Sequence, residues 1–327
     1  MQTFEYAKPA GVEKALSATG KFIAGGTTLV DLMKLHVEQP KTLIDINLLP
    51  LDKIEQLPDG GLRIGALVRN SDLAWNADVK AHYAVLSEAI LSGASPQLRN
   101  MATTGGNLMQ RTRCAYFREP EAGTPGGYGC NKRTPGSGCA AMEGFHRTHA
   151  ILGTSDQCIA THPSDMCVAM AALEATIHVE GPRGKRAIPI AEFHKLPGAT
   201  PHLEHALEAG EIITHVDLPK PVAGAKSVYL KLRDRASYEF ALASAAVVLK
   251  VEGGKIRYAR VAMGGVGTKP WRAHEAEATL VGKSADAATF RKAAEAALAN
   301  AKPRKDNAFK VELAKRCVTR ALTMATA

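Results

Sequence analysis

The sequence predicts an α+β protein built in two parts. Three observations predict it. Short strand-like and helix-like segments alternate in the N-terminal part. Apolar runs are paired around Asp59-Gly60 and around Gly253-Gly254, as in hairpins. The stretch after Pro219–Gly224, which reads as a linker, runs strands first and helices last. Phe4-Glu-Tyr-Ala reads as a short strand, Val12–Ser17 as a helix, and Lys21-Phe-Ile-Ala as a strand that meets Gly25-Gly26. Thr27–His36 follows as a helix with Leu29, Leu32, Met33 and His36 on one face, and Thr42-Leu-Ile-Asp-Ile as the next strand.

A hairpin over residues 53–66 starts a new substructure. Beyond it, Tyr83–Gly93 reads as a helix and Ala102-Thr-Thr-Gly-Gly-Asn-Leu as a Gly-rich turn. Ser164 is placed to cap a helix through Met166, Met170 and Leu173, and residues 177–188 form a further hairpin candidate. After the linker, Ala245–Val251 and Ile256–Met263 make the clearest hairpin, and helices over Ala287–Asn300 and Phe309–Met324 close the chain. The expected units are 1–52, 53–220 and 225–327.

The 327 residues suffice for several packed units, and 46% hydrophobic with 22% charged residues is ordinary globular composition. No apolar run is long enough for a bilayer span, and the N-terminal residues lack the basic and apolar regions of a signal peptide. The net charge of +9 is spread along the chain, with 5% aromatics and no nucleic-acid-binding signature. It is better read as solubility or as docking to acidic subunits. No catalytic triad, H-E-x-x-H motif or carboxylate pair is present, so substrate chemistry is expected on another chain.

Two Gly-rich turns carry the binding chemistry. In "FIAGGTTLVDL" a strand ends, two glycines turn, and a helix begins; its first N–H groups and dipole end suit a phosphate. Thr103-Thr104-Gly105-Gly106-Asn107 repeats that donor-rich composition. Two such turns suggest a pyrophosphate gripped from both sides, hence a dinucleotide, without separating FAD from NAD.

In one order along the chain come "FIAGGTTLVDLMK", "LRIGALVRNSDLA", "LRNMATTGGNLMQ", "THPSDMCVAMAAL", "YLKLRDRASYEFALASAAVVL" and "VAMGGVGTKPWRA". Together they resemble the FAD-binding medium subunit of the xanthine dehydrogenase and carbon monoxide dehydrogenase family of molybdenum hydroxylases, over essentially the whole chain. The resemblance implies a two-part FAD domain of the vanillyl-alcohol-oxidase type and a smaller C-terminal α+β domain. It implies that Lys21, Phe22, Ile23, Ala24, Gly25, Gly26, Thr27, Thr28 and Leu29 wrap the FAD pyrophosphate, and that Thr103, Gly106 and Asn107 form the opposing wall. Ser164 and Asp165 are implied to hydrogen-bond the FAD, and Lys231 to approach the flavin, where a cation stabilises the reduced anion. Read without the resemblance, Asp165 is a first-turn helix acid and Lys231 a strand lysine.

Asn107 and Ser164 lie 57 positions apart, a segment that is short in most members of the family. The extra length reads as an insertion at about 110–160. It holds Cys114, Cys130, Cys139 and Cys158, spaced x15, x8 and x18, in a stretch rich in Gly and Pro. Four thiols in one loop could hold a [4Fe–4S] cluster or zinc, or form two disulfides, and the spacing matches neither the ferredoxin run nor paired knuckles. The resemblance implies the cluster: a [4Fe–4S] insertion at this place marks the 4-hydroxybenzoyl-CoA reductase and periplasmic aldehyde oxidoreductase branches. "CNKRTPGSGCAAMEGF" and "QCIATHPSDM" are similar to the latter. His146, His149 and His162 flank the region; any could replace a cysteine ligand, and a hydrogen-bonding or surface role is favoured. Cys167 and Cys317 read as buried hydrophobes, with Cys167 a weaker rival to Cys158. Cys317 falls on a seam with Phe309, Leu313, Ala321 and Met324.

The implied function is the flavin and iron–sulfur subunit of a molybdenum-dependent aldehyde oxidoreductase. Its partners would be a large molybdenum-cofactor subunit, a small subunit with two [2Fe–2S] clusters, and an external acceptor such as ferredoxin, a quinone or O2. The alternatives are the same subunit in a hydroxybenzoyl-CoA reductase or purine-type hydroxylase, a self-sufficient FAD oxidase, and a non-catalytic Fe–S scaffold. Export bound to a signal-bearing partner would place the chain in the periplasm; the cytoplasm is the alternative.

Overall fold

The computed structural model describes residues 1–120 and 127–327. Residues 121–126, in the Gly- and Pro-rich middle of the cysteine segment, lie outside the described residues. The described residues form three sheets. The first is parallel and small: β1 (Glu5–Ala7), β2 (Lys21–Ile23) and β3 (Thr42–Asp45), in the order β1-β3-β2. Its central strand is the apolar one, with Leu43 and Ile44 buried, as a strand covered on both faces requires.

The second sheet is antiparallel, with β4 (Ile54–Gln56), β5 (Leu62–Gly65), β6 (Thr176–Gly181), β7 (Gly184–Pro189) and β8 (Ile212–Leu218) in the order β4-β5-β8-β6-β7. Residues 66–175 leave the sheet after β5 and return at β6, so this sheet brackets the helices and the whole cysteine segment. β6 alternates half-buried and buried positions, the period of a strand with one face in the core.

The third sheet, β9 (Lys226–Leu232), β10 (Ala243–Glu252), β11 (Lys255–Gly264) and β12 (Trp271–Arg272), is antiparallel in the order β12-β11-β10-β9. Both faces of β10 are covered. Ala246 and Val248 join the core of the second sheet, while Ala245, Val247 and Leu249 face the C-terminal helices. That double burial explains why "ALASAAVVL" shows no polar alternation. Ile151 and Leu152 of the cysteine segment belong to this C-terminal core. Their N–H groups donate to the carbonyl of Val266 at 2.8 and 3.0 Å, and Lys302 N–H donates to Ile151 O at 2.7 Å.

Several elements differ from expectation. The helix expected over Thr27–His36 is Leu29–Lys34, and His36 takes a positive φ of 58° that ends it. The Gly-rich turn at 102–108 is a short helix, Thr104–Leu108, with Thr103 as its cap. The Gly- and Pro-rich cysteine stretch contains a helical turn, Ala115–Arg118, among its described residues. The seam expected through Phe309 and Met324 is rotated: both are exposed, and Lys310, Ala314, Cys317, Val318 and Ala321 are buried. Lys310 can lie inside because its ammonium donates to the carbonyls of Thr148 (3.2 Å), His149 (3.0 Å) and Gly265 (2.5 Å). A buried ammonium is tolerable when its donors are met this way, and here it ties the cysteine segment to the last helix.

Candidate cofactor site

The first turn is built by close approach. β2 ends at Ile23, Gly26 adopts φ 72°, and the helix begins at Leu29. A Cβ on Gly25 would overlap the carbonyl of Met101, so only glycine lets this turn touch the chain leading to the second turn. Asn47 Nδ2 donates to Ala24 O at 2.9 Å, and the Arg69 guanidinium donates to Asn47 Oδ1 at 3.0 Å and to the Met101 carbonyl. The two turns are thereby stitched across the boundary between the first and second sheets. The N–H groups of Thr27 and Thr28 have no partner among the described residues, which leaves donors for an anion.

The second turn is less donor-rich than its composition suggested. Thr104 N–H donates to Val68 O, Gly105 N–H to Ala66 O, Gly106 N–H to Thr103 Oγ1 and Asn107 N–H to Thr103 O. It offers a small-residue wall rather than free donors.

Between the turns lies a cavity of about 460 Å³ lined by residues 20–29, Thr103 and Gly106. Its third side comes from the inserted segment. Arg111 donates to Glu38 at 2.8 Å and to Glu204 at 2.5 Å, and Lys132 pairs with Glu204 at 3.0 Å. Burial raises the Glu204 carboxyl, but Lys132 and Arg111 outweigh it and hold the group below the usual carboxylate range. Because its folded pKa is depressed, its stabilisation is present above about pH 4.5 and is lost as pH falls through the lower folded value. Glu204→Gln is expected to cost on the order of 3 kcal/mol near neutrality. In melts from neutral to strongly acid pH, its deficit relative to the wild type should shrink at the acid end.

The remaining predicted residues lie deeper. Ser164 caps the helix Asp165–Ala172, accepting from Cys167 N–H at 3.1 Å, and its hydroxyl donates to Asn107 Oδ1 at 2.6 Å. Asp165 accepts from Tyr229 OH at 2.6 Å and from Lys231 Nζ at 2.8 Å. Lys231 therefore faces Asp165, with a further donation to Ser92 O at 3.2 Å. Ser164 and Asp165 border a second cavity of about 160 Å³, shared with Cys114, His149 and Phe240. His162 borders both cavities. His162 Nε2 and His194 Nδ1 are buried without a partner among the described residues, and burial keeps His194 near about 4 and His162 well below its usual value. Both rings are thus neutral.

The structure brings Cys114, Cys130, Cys139 and Cys158 together. Cys130 and Cys139 pair as an antiparallel bridge. Each of the six pairs among the four thiols interacts electrostatically. Burial first, then the neighbouring thiols, pushes Cys114 up to about 12; burial raises Cys158 to about 11 and also raises Cys139. Main-chain N–H groups are aimed at the sulfurs: Phe117 at Cys114, Ala141, Met142 and Ile159 at Cys139, and Ala160 at Cys158. Cys167 lies apart, with its sulfur within 4.8 Å of nitrogens of His162 and His194. The segment is anchored outward by Phe117, fully buried against Leu32, and by Arg113 and Arg118 on Asp31.

Residues 2–221 match the FAD binding domain in molybdopterin dehydrogenase, and residues 228–325 match the CO dehydrogenase flavoprotein C-terminal domain. The chain belongs to the FAD-binding medium subunits of the molybdenum hydroxylases. It is 52% identical to the aldehyde oxidoreductase FAD-binding subunit PaoB of Escherichia coli K12, over 100% of this chain and 99% of that one. It is 28% identical to the carbon monoxide dehydrogenase medium chain of Hydrogenophaga pseudoflava, over 99% and 97%. The carbon monoxide dehydrogenase structure from that organism superposes with a TM-score of 0.76 at 29% identity, covering 99% and 98%. The mixed helix–strand architecture is that of these medium subunits. In this medium subunit the glycine approach at Gly25 and the open N–H groups at Thr27 and Thr28 fit an FAD pyrophosphate. Arg111, Lys132 and Glu204 were not legible as cavity residues: they are far apart in sequence and carry no motif. No helix of the described residues is long and apolar enough to cross a membrane.

Proposed function

We propose that this chain is the flavin and iron–sulfur subunit of a molybdenum-dependent aldehyde oxidoreductase, holding FAD between the two turns and a [4Fe–4S] cluster on Cys114, Cys130, Cys139 and Cys158. The observation that carries the cluster is the convergence of these four thiols, with main-chain N–H groups turned toward three of the sulfurs. Four crowded, buried thiols cannot all ionise without a cationic core, and N–H donors are what cluster sulfurs accept. The aldehyde reading is supported by the identity to the E. coli subunit along the full chain.

When bound, FAD would take electrons singly and release them in pairs, and the cluster would exchange one at a time. The chain's own residues hold and shield. The first turn's N–H groups and the Arg111–Lys132 wall meet the pyrophosphate, and Lys231 fixes Asp165 beside the second cavity. Electrons would come from a small subunit with two [2Fe–2S] clusters, fed by a large molybdenum-cofactor subunit, and leave to ferredoxin, a quinone or O2. Co-export with a signal-bearing partner would put the complex in the periplasm. The unit boundaries at 1–52, 53–220 and 225–327 are part of this reading. The test is the metal and flavin content of the purified complex. We expect FAD and about eight irons per complex, about four of them beyond the small subunit's two [2Fe–2S] clusters; zinc in place of those additional irons would sink the cluster.

A further inference from the structure

We propose that His149 sets the redox potential of the iron–sulfur centre by donating its Nε2 hydrogen to the sulfur of Cys114. The inference rests on the cluster reading above and adds a tuning residue to it. His149 Nε2 lies 3.1 Å from Cys114 Sγ, well within a hydrogen bond to sulfur. Cys139 and Cys158 are met by main-chain N–H groups; Cys114 receives this side chain in addition to the N–H of Phe117.

The direction of the bond follows from the chemistry. A thiolate bound to iron carries no proton and can only accept, so the imidazole must donate. A neutral ring has one N–H; placing it on Nε2 leaves Nδ1 a bare lone pair, and Nδ1 is the buried atom with no partner among the described residues. The ring is also held in place. Residue 149 is 4% exposed, its N–H donates to His146 O at 3.0 Å, and its carbonyl accepts from Lys310 Nζ at 3.0 Å. Such orientation by outer partners is what makes a second-layer contact effective. Cys114 and His149 both border the smaller cavity, together with Asp165, so the tuned sulfur sits on the wall nearest the predicted flavin contacts.

A donor on a cluster sulfur offsets negative charge, which is greater after reduction, and so favours the reduced state. In the purified complex, His149→Leu should shift the cluster's midpoint potential downward in a titration followed by electron paramagnetic resonance, with the iron content of the wild-type complex retained. His149→Gln, which keeps an N–H at similar reach, should stay near the wild type. An unchanged potential in a fully loaded His149→Leu complex would overturn the proposal, as would equal shifts in both variants. Should the leucine variant fail to assemble, wild-type complex labelled with 15N-histidine decides: pulsed resonance of the reduced cluster should show a coupled imidazole nitrogen that His149→Gln lacks, and no coupling overturns the assignment. A wild-type complex with no iron beyond the small subunit's two [2Fe–2S] clusters would instead remove the cluster itself, a distinguishable failure.

Discussion

A Gly25→Val chain is expected to purify without flavin. The valine Cβ would have to occupy the place of the Met101 carbonyl oxygen, and a backbone atom has nowhere to go. Met101 is also held by Arg69, which in turn holds Asn47 and through it Ala24. The clash therefore spreads to both Gly-rich turns and to the seam between the first two sheets. The cost is expected at about 2–4 kcal/mol of stability, and the pyrophosphate wall opens. The check is FAD released by acid per chain, beside a denaturation curve. Retained flavin at one per chain would show that the two turns do not grip the cofactor together. Gly26→Val is the milder case: its strain comes from φ 72° and a Val30 methyl 3.1 Å away, which can give.

Cys130→Ser in the complex is expected to lose about half of its iron, the roughly four atoms that this subunit adds to those of the small subunit. Cys130 is 7% exposed and sits at the bridge to Cys139, where Asn131 N–H donates to Gly138 O at 2.7 Å and Ala140 N–H to Gly129 O at 2.9 Å. The hydroxyl keeps the side chain's shape and removes the thiolate that iron needs. Flavin content should fall as well, since Lys132 of the cavity wall is two residues away. Cys167→Ser and Cys317→Ser serve as controls: both thiols are buried outside the group of four, and both variants should keep the full iron content of the wild-type complex. Iron analysis across the three variants decides whether the ligand set is the one drawn here.

Local structure was legible where one principle governs. The strand–glycine–helix passage at 21–29, the cap at Ser164 and the hairpin around Gly253-Gly254 all appear close to where pattern and turn chemistry put them. The last helix was phased wrongly because pattern reasoning puts lysine outside, and Lys310 is inside with three carbonyls. The second turn was over-read for the opposite reason: its residues can donate, but neighbours at 66, 68 and 103 had already claimed the hydrogens. Pairings across long sequence gaps were out of reach. Asp165 with Lys231, and Glu204 with Arg111 and Lys132, have no local signal, and each partner alone looks like a surface charge. The four cysteines sat between these cases: their clustering in one insertion was visible, while irregular spacing left the convergence to the tertiary fold.

The two core side chains that the inserted segment lends to the C-terminal helices bear on how such a subunit can be remodelled. Ile151 and Leu152 fill the same interior as Val261 and Leu322, and their N–H groups donate to Val266, just past the end of β11. Trimming residues 110–160 to a short connector would leave a hole where two large aliphatic groups had been, with the Lys310 ammonium stripped of the Thr148 and His149 carbonyls. The cysteine segment is thus a keystone rather than an ornament. Any such deletion would need compensating changes in the neighbouring domain.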